Sequence, residues 1–337
     1  MSRDLGSRLA ASLAEAPGVE RVIGVDAVAP SGPALATLGR TEFVRADIRH
    51  PLIAKVISAA RVDTVVHLNV SATPGLSGGR SSMMEMNVIG TMQLLAGTQQ
   101  ATSVRRLVLK STTAVYGSSP RDPALFTEDT EPGATPRSGY GKDAVEVEGY
   151  VRSFSRRRPD VDVTVLRFAN FIGPRTDSPI VRYLSLPAVP TILGFDPRLQ
   201  FVHEDDALDV LRLACRGQRS GVFNVAGDGI LLLSQAIRRA GRVPVPVAPP
   251  VIALLARFAR RSGLVDFSPE QIAFLNYGRV VDTSRLHDEF GYRPAHTTAE
   301  AFADFARGLS APLPPESIQH AESLLLGRLT GRAVTNA

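Results

Sequence analysis

Apolar and polar positions follow two rhythms along this chain. Short apolar runs bounded by turn residues recur at Val19–Asp26, Thr41–Ile48, Val62–Ser71, Arg106–Thr112, Val161–Pro174 and Gly221–Ala226, the pattern of buried strands. Between them lie helical patterns. Met1–Leu13 reads as the opening of one helix, capped by Ser2 or Asp4, and Asn87–Leu95 opens another. Tyr140, Ala144, Val147, Val151 and Phe154 share one stripe of a third, entered through Gly139. Strands that alternate with helices predict an α/β fold, a doubly wound parallel sheet with helices on both faces. Segments 174–198 and 233–309 break this rhythm and predict a smaller C-terminal lobe, with 310–337 as a tail. Pro74–Ser82 reads as a Gly/Ser-rich loop.

Composition narrows the function classes. The 337 residues are 44% hydrophobic and 21% charged, ordinary for a soluble globular protein. The net charge of +5 is carried almost wholly by Arg, since Lys occurs only at positions 55, 110 and 142. The runs Arg156–Arg158, Arg238–Arg239 and Arg260–Arg261 fall near helix ends, where cations favour the helix dipole. With 6% aromatics and no recognition motif, no nucleic-acid partner is expected. No apolar run is long enough to span a membrane. The single Cys215 sits in a helix-core setting, which excludes an internal disulfide and fits a cytoplasmic, reducing compartment. Val251–Arg261 is an apolar helix ending in cations, read as a lid over a cleft rather than a membrane-surface segment.

The chemistry concentrates between Arg106 and Phe154. A strand ends in the hydroxyls Ser111, Thr112 and Thr113, then Ala-Val-Tyr-Gly follows, and about two dozen residues later Tyr140 opens a helix. A hydroxyl at a strand end and a Tyr at a helix start are the parts of a proton-transfer site. This arrangement resembles the extended short-chain dehydrogenase/reductase family, in particular its NAD-dependent epimerase/dehydratase branch. The resemblance runs over roughly residues 2–308 and includes Asn87-Val-Ile-Gly-Thr, Leu166-Arg-Phe-Ala-Asn-Phe-Ile-Gly-Pro174, Phe201-Val-His-Glu-Asp-Asp206 and the closing Asp282-Thr-Ser with Phe290-Gly-Tyr-Arg-Pro294. It implies a Rossmann-like cofactor domain over 1–173 and 199–232, a substrate lobe over 174–198 and 233–309, NAD as cofactor, a small-molecule substrate and a homodimer.

Carried over residue by residue, the resemblance makes Tyr140 the general acid/base and Thr112 the hydroxyl that orients the reacting oxygen. The Lys that depresses the phenol pKa in Tyr-x-x-x-Lys is replaced by Ala144. Lys142 is no substitute, because two residues on is roughly 200° round a helix. A Tyr at its reference pKa of about 10 is only roughly 0.1% phenolate at pH 7, and lowering it three units is worth about 4 kcal/mol. For the cofactor, Gly6 matches the last Gly of Thr-Gly-x-x-Gly-x-x-Gly, Arg3 falls on the middle one, and the first Gly and its strand have no counterpart. That missing strand would be central in the sheet, so the expectation is a native start upstream of Met1. Asp26 matches the acid that binds the adenosine ribose and favours NAD over NADP. Asp47 and Ile48 match the adenine contacts, Leu68, Asn69 and Val70 would pass beneath the cofactor, and Asn87 would order the cofactor-side loops.

On the substrate side, Asn170 matches a contact residue and Arg167 reads as structural. His67 reads as a packed strand residue. His203, Glu204, Asp205 and Asp206 have the composition of a metal cluster, but the resemblance implies a strand-to-helix turn capped by Asp205 or Asp206, with no metal. The two Arg positions that clamp a sugar-nucleotide pyrophosphate hold Leu199 and Ile272, with Arg198 one step off. The reading is an NAD-dependent epimerase/dehydratase-like oxidoreductase acting on a hydroxylated small molecule with an incomplete Tyr-x-x-x-Lys site. The alternative is a dinucleotide or metabolite sensor that keeps the fold and has lost the chemistry.

Overall fold

A computed structural model describes residues 4–70, 80–130, 136, 139–248 and 269–309. The loop beyond Val70, the segment 251–261 and the tail 310–337 singled out above therefore lie outside the described residues, apart from Arg80–Ser82. Helix α1 (Asp4–Ala14) leads to β1 (Ile23–Asp26), α2 (Pro33–Thr37), β2 (Glu42–Arg45), α3 (Leu52–Ala59) and β3 (Thr64–His67). Helix α4 (Arg80–Met84) passes through a π turn (Glu85–Ile89) into α5 (Gly90–Gln100). Strand β4 (Arg106–Thr112) ends in a 3-10 turn (Thr113–Tyr116) and is followed by α6 (Gly139–Arg157) and β5 (Asp162–Phe168). Then come β6 (Asn170–Ile172), α7 (Pro179–Leu184), β7 (Ala188–Ile192), β8 (Arg198–Leu199), β9 (Phe201–His203), α8 (Glu204–Arg216) and β10 (Gly221–Val225). The chain continues through β11 (Leu231–Leu232), α9 (Leu233–Arg239), β12 (Val243–Val247), α10 (Pro269–Tyr277), α11 (Ser284–Asp288) and α12 (Thr298–Arg307).

The main ladder is parallel throughout, in the order β10-β5-β4-β3. Leu107, Val108 and Leu109 are buried in succession because β4 is covered on both faces. Leu107 and Leu109 share a core with Ala144, Val147, Val151 and Phe154 of α6, while Val108 packs with Leu9 of α1 and Val210 and Leu211 of α8. The predicted α6 stripe is thus the stripe that is buried, with Tyr140 packed against its edge. Strands β1 and β2 form a second parallel ladder. Among the described residues no ladder joins β1 to β3, the strands flanking the position of the expected first strand. Parallel pairing in register, Thr112 with Phe168 and Phe168 with Val225, brings the carboxyl ends of the strands to one rim.

A second core gathers Ile172, Ile180, Tyr183, Leu199, Phe201, Leu231, Ile237, Phe274 and Phe302. It is organised around β6 paired with β9, β8 with β11 and β7 with β12. One local expectation is corrected here. Helix α8 is capped by His203, whose Nδ1 accepts from the Asp205 amide at 3.2 Å, and not by Asp205 or Asp206. The Asp206 carboxylate is turned instead to the closing segment, where it accepts from the Tyr292 hydroxyl (2.8 Å) and the Ala295 amide (2.6 Å).

Candidate active site

Tyr140 lies in the first turn of α6, at the rim where β4 ends. Gly139 holds a positive φ of 74° on entry, a conformation glycine adopts without strain. Gly141 lets the helix approach the Thr113–Tyr116 turn, since a Cβ there would sit 2.7 Å from the Ala114 carbonyl oxygen. Thr112 ends β4 half-buried, and its hydroxyl oxygen accepts from the Ala114 amide at 3.2 Å. That leaves the hydroxyl proton to donate elsewhere. The backbone thus joins the turn after Thr112 to the turn that carries Tyr140.

The Tyr140 hydroxyl donates to the Val70 carbonyl oxygen at 3.4 Å. The same carbonyl accepts from Lys110 Nζ at 3.0 Å. Lys110 comes from β4, two residues before Thr112, and also lies over the Phe171 ring at 5.6 Å. Ala144 is fully buried in the first core. Lys142 faces away and pairs with Glu146 at 3.5 Å. Helix α10 adds a residue that no sequence pattern marked: Glu270 accepts from the Gly141 amide at 2.9 Å. Behind it Arg279 donates to the Gly117 carbonyl (2.7 Å) and the Ser118 hydroxyl (3.1 Å). Burial pulls Arg279 down to about 10 against the opposing pull of Glu270, Asp122, Tyr116 and Tyr140, so it stays charged at neutral pH.

The residues expected to meet a cofactor line the strand ends. Asp26 ends β1, where its carboxylate accepts from the Val28 amide at 3.0 Å. Asp47 is gripped by Arg49, whose Nη2 lies 2.6 Å from it, and this hydrogen bond holds the carboxyl below its usual range. Ile48 packs on α5, where a Cβ at Gly90 would meet its Cδ1 at 2.6 Å. Leu68 and Asn69 are half-buried and Val70 is fully buried beyond β3. Asn87 is buried in the π turn and donates to Asp143 of α6 at 3.1 Å, which ties the cofactor-side loop to the turn bearing Tyr140. Gly6 lies inside α1. His67 is buried on Thr91 at 2.7 Å, and burial, then Lys110, lower it to about 4, in keeping with a packed residue.

On the other side, Asn170 is half-buried at the start of β6. Arg167 is bound by Glu148 (2.7 Å) and Tyr116 (2.8 Å) inside the fold. Leu199 is fully buried and Ile272 packs on the second core. A cavity of about 180 Å³ is lined by Ser119, Asp122, Phe126, Arg198, Tyr277 and Arg279 among others. Ligand atoms of His203, Asp206 and His296 come within 4.8 Å of one another. They are already engaged: His203 with Asp304 at 3.0 Å and His296 with Asp206 at 2.8 Å.

The profile of the NAD dependent epimerase/dehydratase family matches residues 4–226. The chain belongs to this family. An uncharacterized protein of Mycobacterium tuberculosis is 51% identical over 327 residues, covering 96% of this chain and 87% of its own. A dTDP-glucose 4,6-dehydratase of Streptomyces venezuelae, solved with NAD bound, is 25% identical with a TM-score of 0.66, over 91% of this chain and 94% of its own. A UDP-glucose 4-epimerase of Thermotoga maritima, solved with UDP-glucose, has a TM-score of 0.68 at 21% identity, over 91% and 96% of the two chains. In this chain the turn after Thr112 lies against the first turn of α6, which carries Tyr140. The chain's departures are the buried Ala144 and the apolar, buried Leu199.

Proposed function

We propose that this chain is an NAD-linked oxidoreductase of the epimerase, dehydratase or dehydrogenase type, acting on a hydroxylated, sugar-derived small molecule. The observation that carries the reading is the convergence of Tyr140 and the turn after Thr112 on one end of a parallel sheet. Ligands of open α/β sheets bind outside the carboxyl ends of the strands.

The residues present fit the adenosine end of the cofactor. The partly exposed carboxylate of Asp26 suits the hydroxyls of an adenosine ribose, and would repel a 2′-phosphate. Ile48, seated on Gly90, offers an apolar face for a base. Leu68, Asn69 and Val70 lie between these and Tyr140 in the chain order of the rim. When bound, NAD supplies the acceptor for a hydride from a substrate carbon. The chain's own part is the proton. Thr112 donates its hydroxyl hydrogen to the substrate oxygen and fixes its direction. Tyr140 takes the proton from that oxygen, or returns it in the reverse sense. Asn170 would hold the substrate from the β6 side.

The substrate is not gripped at Leu199 or Ile272, since both positions are apolar. This argues against a pyrophosphate clamp at those two positions. A homodimer and a cytoplasmic setting belong to the same reading, and light scattering of the purified protein tests the first. The sensor alternative is favoured by one observation, the burial of Ala144 where a Lys would act.

The deciding experiment pairs binding with turnover. NAD is expected to raise the melting temperature, and NADP to raise it much less. Turnover of NAD with hydroxylated sugar derivatives is expected to fall by about 10²–10⁴ in Tyr140→Phe. Turnover that survives Tyr140→Phe removes Tyr140 from the chemistry. Binding without turnover across the substrate panel, in the native chain, favours the sensor.

A further inference from the structure

The position that would normally tune the phenol is a buried Ala, yet a different ammonium shares a carbonyl with that phenol. Lys110 lies on β4 and shares its face with Val108, which packs on the α1 and α8 side. Tyr140 comes from α6, on the opposite side of the sheet. Side chains from two faces can meet only beyond the strand ends. Here both meet at the carbonyl of Val70, which accepts from Lys110 Nζ at 3.0 Å and from the Tyr140 hydroxyl at 3.4 Å. The ammonium and the phenol oxygen are therefore within two hydrogen-bond lengths of each other.

We propose that Lys110 is the cation that stabilises the Tyr140 phenolate, in place of a Lys at position 144. The inference rests on the proposed role of Tyr140 and names its missing partner. A positive charge close to a phenol oxygen favours the ionised form. The Val70 carbonyl works the other way, because it accepts from the Tyr140 hydroxyl only while the phenol keeps its proton. The Lys110 ammonium, held on the same carbonyl, is the group that favours the phenolate. Of the three lysines in the chain, Lys55 lies within α3 and Lys142 is engaged with Glu146.

Among the described residues, other charges lie near the turn that carries Tyr140. Glu270 of α10, held on the Gly141 amide, opposes ionisation. Arg279 favours it, but is shared with Glu270 and Asp122. On α6 itself, Asp143 is bonded to Asn87. His67, near Lys110, is neutral above about pH 4. The Lys110 ammonium therefore acts against both Glu270 and the Val70 carbonyl.

The test reads the phenol directly and needs neither cofactor nor turnover. Ultraviolet titration of the native protein minus Tyr140→Phe isolates one tyrosinate among six tyrosines. Its midpoint is expected below the ordinary phenol value of about 10. Lys110→Met should raise it by roughly 1–2 pH units, and Lys110→Arg should keep it low. A merely structural Lys110, holding Val70 and Phe171, would change stability and leave the midpoint alone. A midpoint unmoved in folded Lys110→Met overturns the proposal.

If Lys110→Met does not fold, the reciprocal measurement decides. With only three lysines, an ε-15N-labelled sample gives a readable titration of each ammonium. Coupling is mutual, so the Lys110 midpoint should drop in Tyr140→Phe, while an equal midpoint in both proteins overturns the proposal. Should Tyr140→Phe keep full turnover while the two groups still titrate together, the functional reading fails and the Lys110–Tyr140 coupling stands.

Discussion

His67 ends β3 with its ring buried on the Thr91 hydroxyl, and burial holds it near pKa 4 rather than 6.5. The sign of its effect on stability follows. As pH falls below about 6.5 the unfolded chain takes up the proton first, while the folded chain resists until about pH 4. The contribution of roughly 3 kcal/mol is complete above pH 6.5 and lost as pH falls through that window. Urea unfolding followed from pH 7 to 4 should show this slope, reduced by about one proton in His67→Gln. Arg167 makes a separate prediction. Its guanidinium and the Glu148 carboxylate are 2.7 Å apart and both nearly buried, and Ser111 also donates to Glu148 at 2.5 Å. Arg167→Met should cost about 3–5 kcal/mol in chemical denaturation, because it leaves Glu148 buried without its countercharge. At this scale the sequence marked Thr112, Tyr140 and Asn87 by their motif spacing. It gave no sign of Glu270, and it left Lys110 aside because Lys110 is near Tyr140 in space and thirty residues away along the chain.

Helix α6 is the element on which the candidate site turns. Its periodic stripe was legible because a helix buries every third or fourth side chain, and Val147 and Phe154 are indeed wholly buried. Phe154→Ala should cost about 3–5 kcal/mol in urea titrations. The start of the helix is a different matter. An Ala at Gly141 would press on the Ala114 carbonyl, 2.7 Å away, which is backbone and cannot swing aside. Gly141→Ala should therefore destabilise by roughly 1–3 kcal/mol and also move Tyr140 off the Val70 carbonyl. Loss of the Tyr140 titration signal, beyond what the stability change explains, is the readout. The π turn around Asn87 was not legible, because one extra residue in a helical turn leaves the apolar pattern almost unchanged. The His203 cap escaped because acidic neighbours fit the usual capping preference better than an imidazole.

Over the whole molecule, a polar seam ties α8 to the closing segment and to α12. Asp206 is 1% exposed and accepts from Tyr292, Ala295 and His296, while His203 stacks on His296 with ring centroids 4.0 Å apart and bonds Asp304 of α12. Asp206→Ala strands those donors and should lower stability by about 3–5 kcal/mol. Hydrogen exchange should then accelerate over 292–307 before it does in β4 and β5. The strands of the main sheet, the helices between them and the family followed from the one-dimensional pattern and motifs, since burial periodicity and short motif spacings are properties of neighbours along the chain. Which charges stand around Tyr140 did not. Lys110, Glu270 and Arg279 arrive from β4, α10 and the segment after it, and only the packing of α6 across the sheet brings them near the turn that carries Tyr140. A sequence can say that a Lys is missing from its usual place four residues on. Electrostatic tuning acts through space, so only the folded chain could say that another ammonium shares its carbonyl.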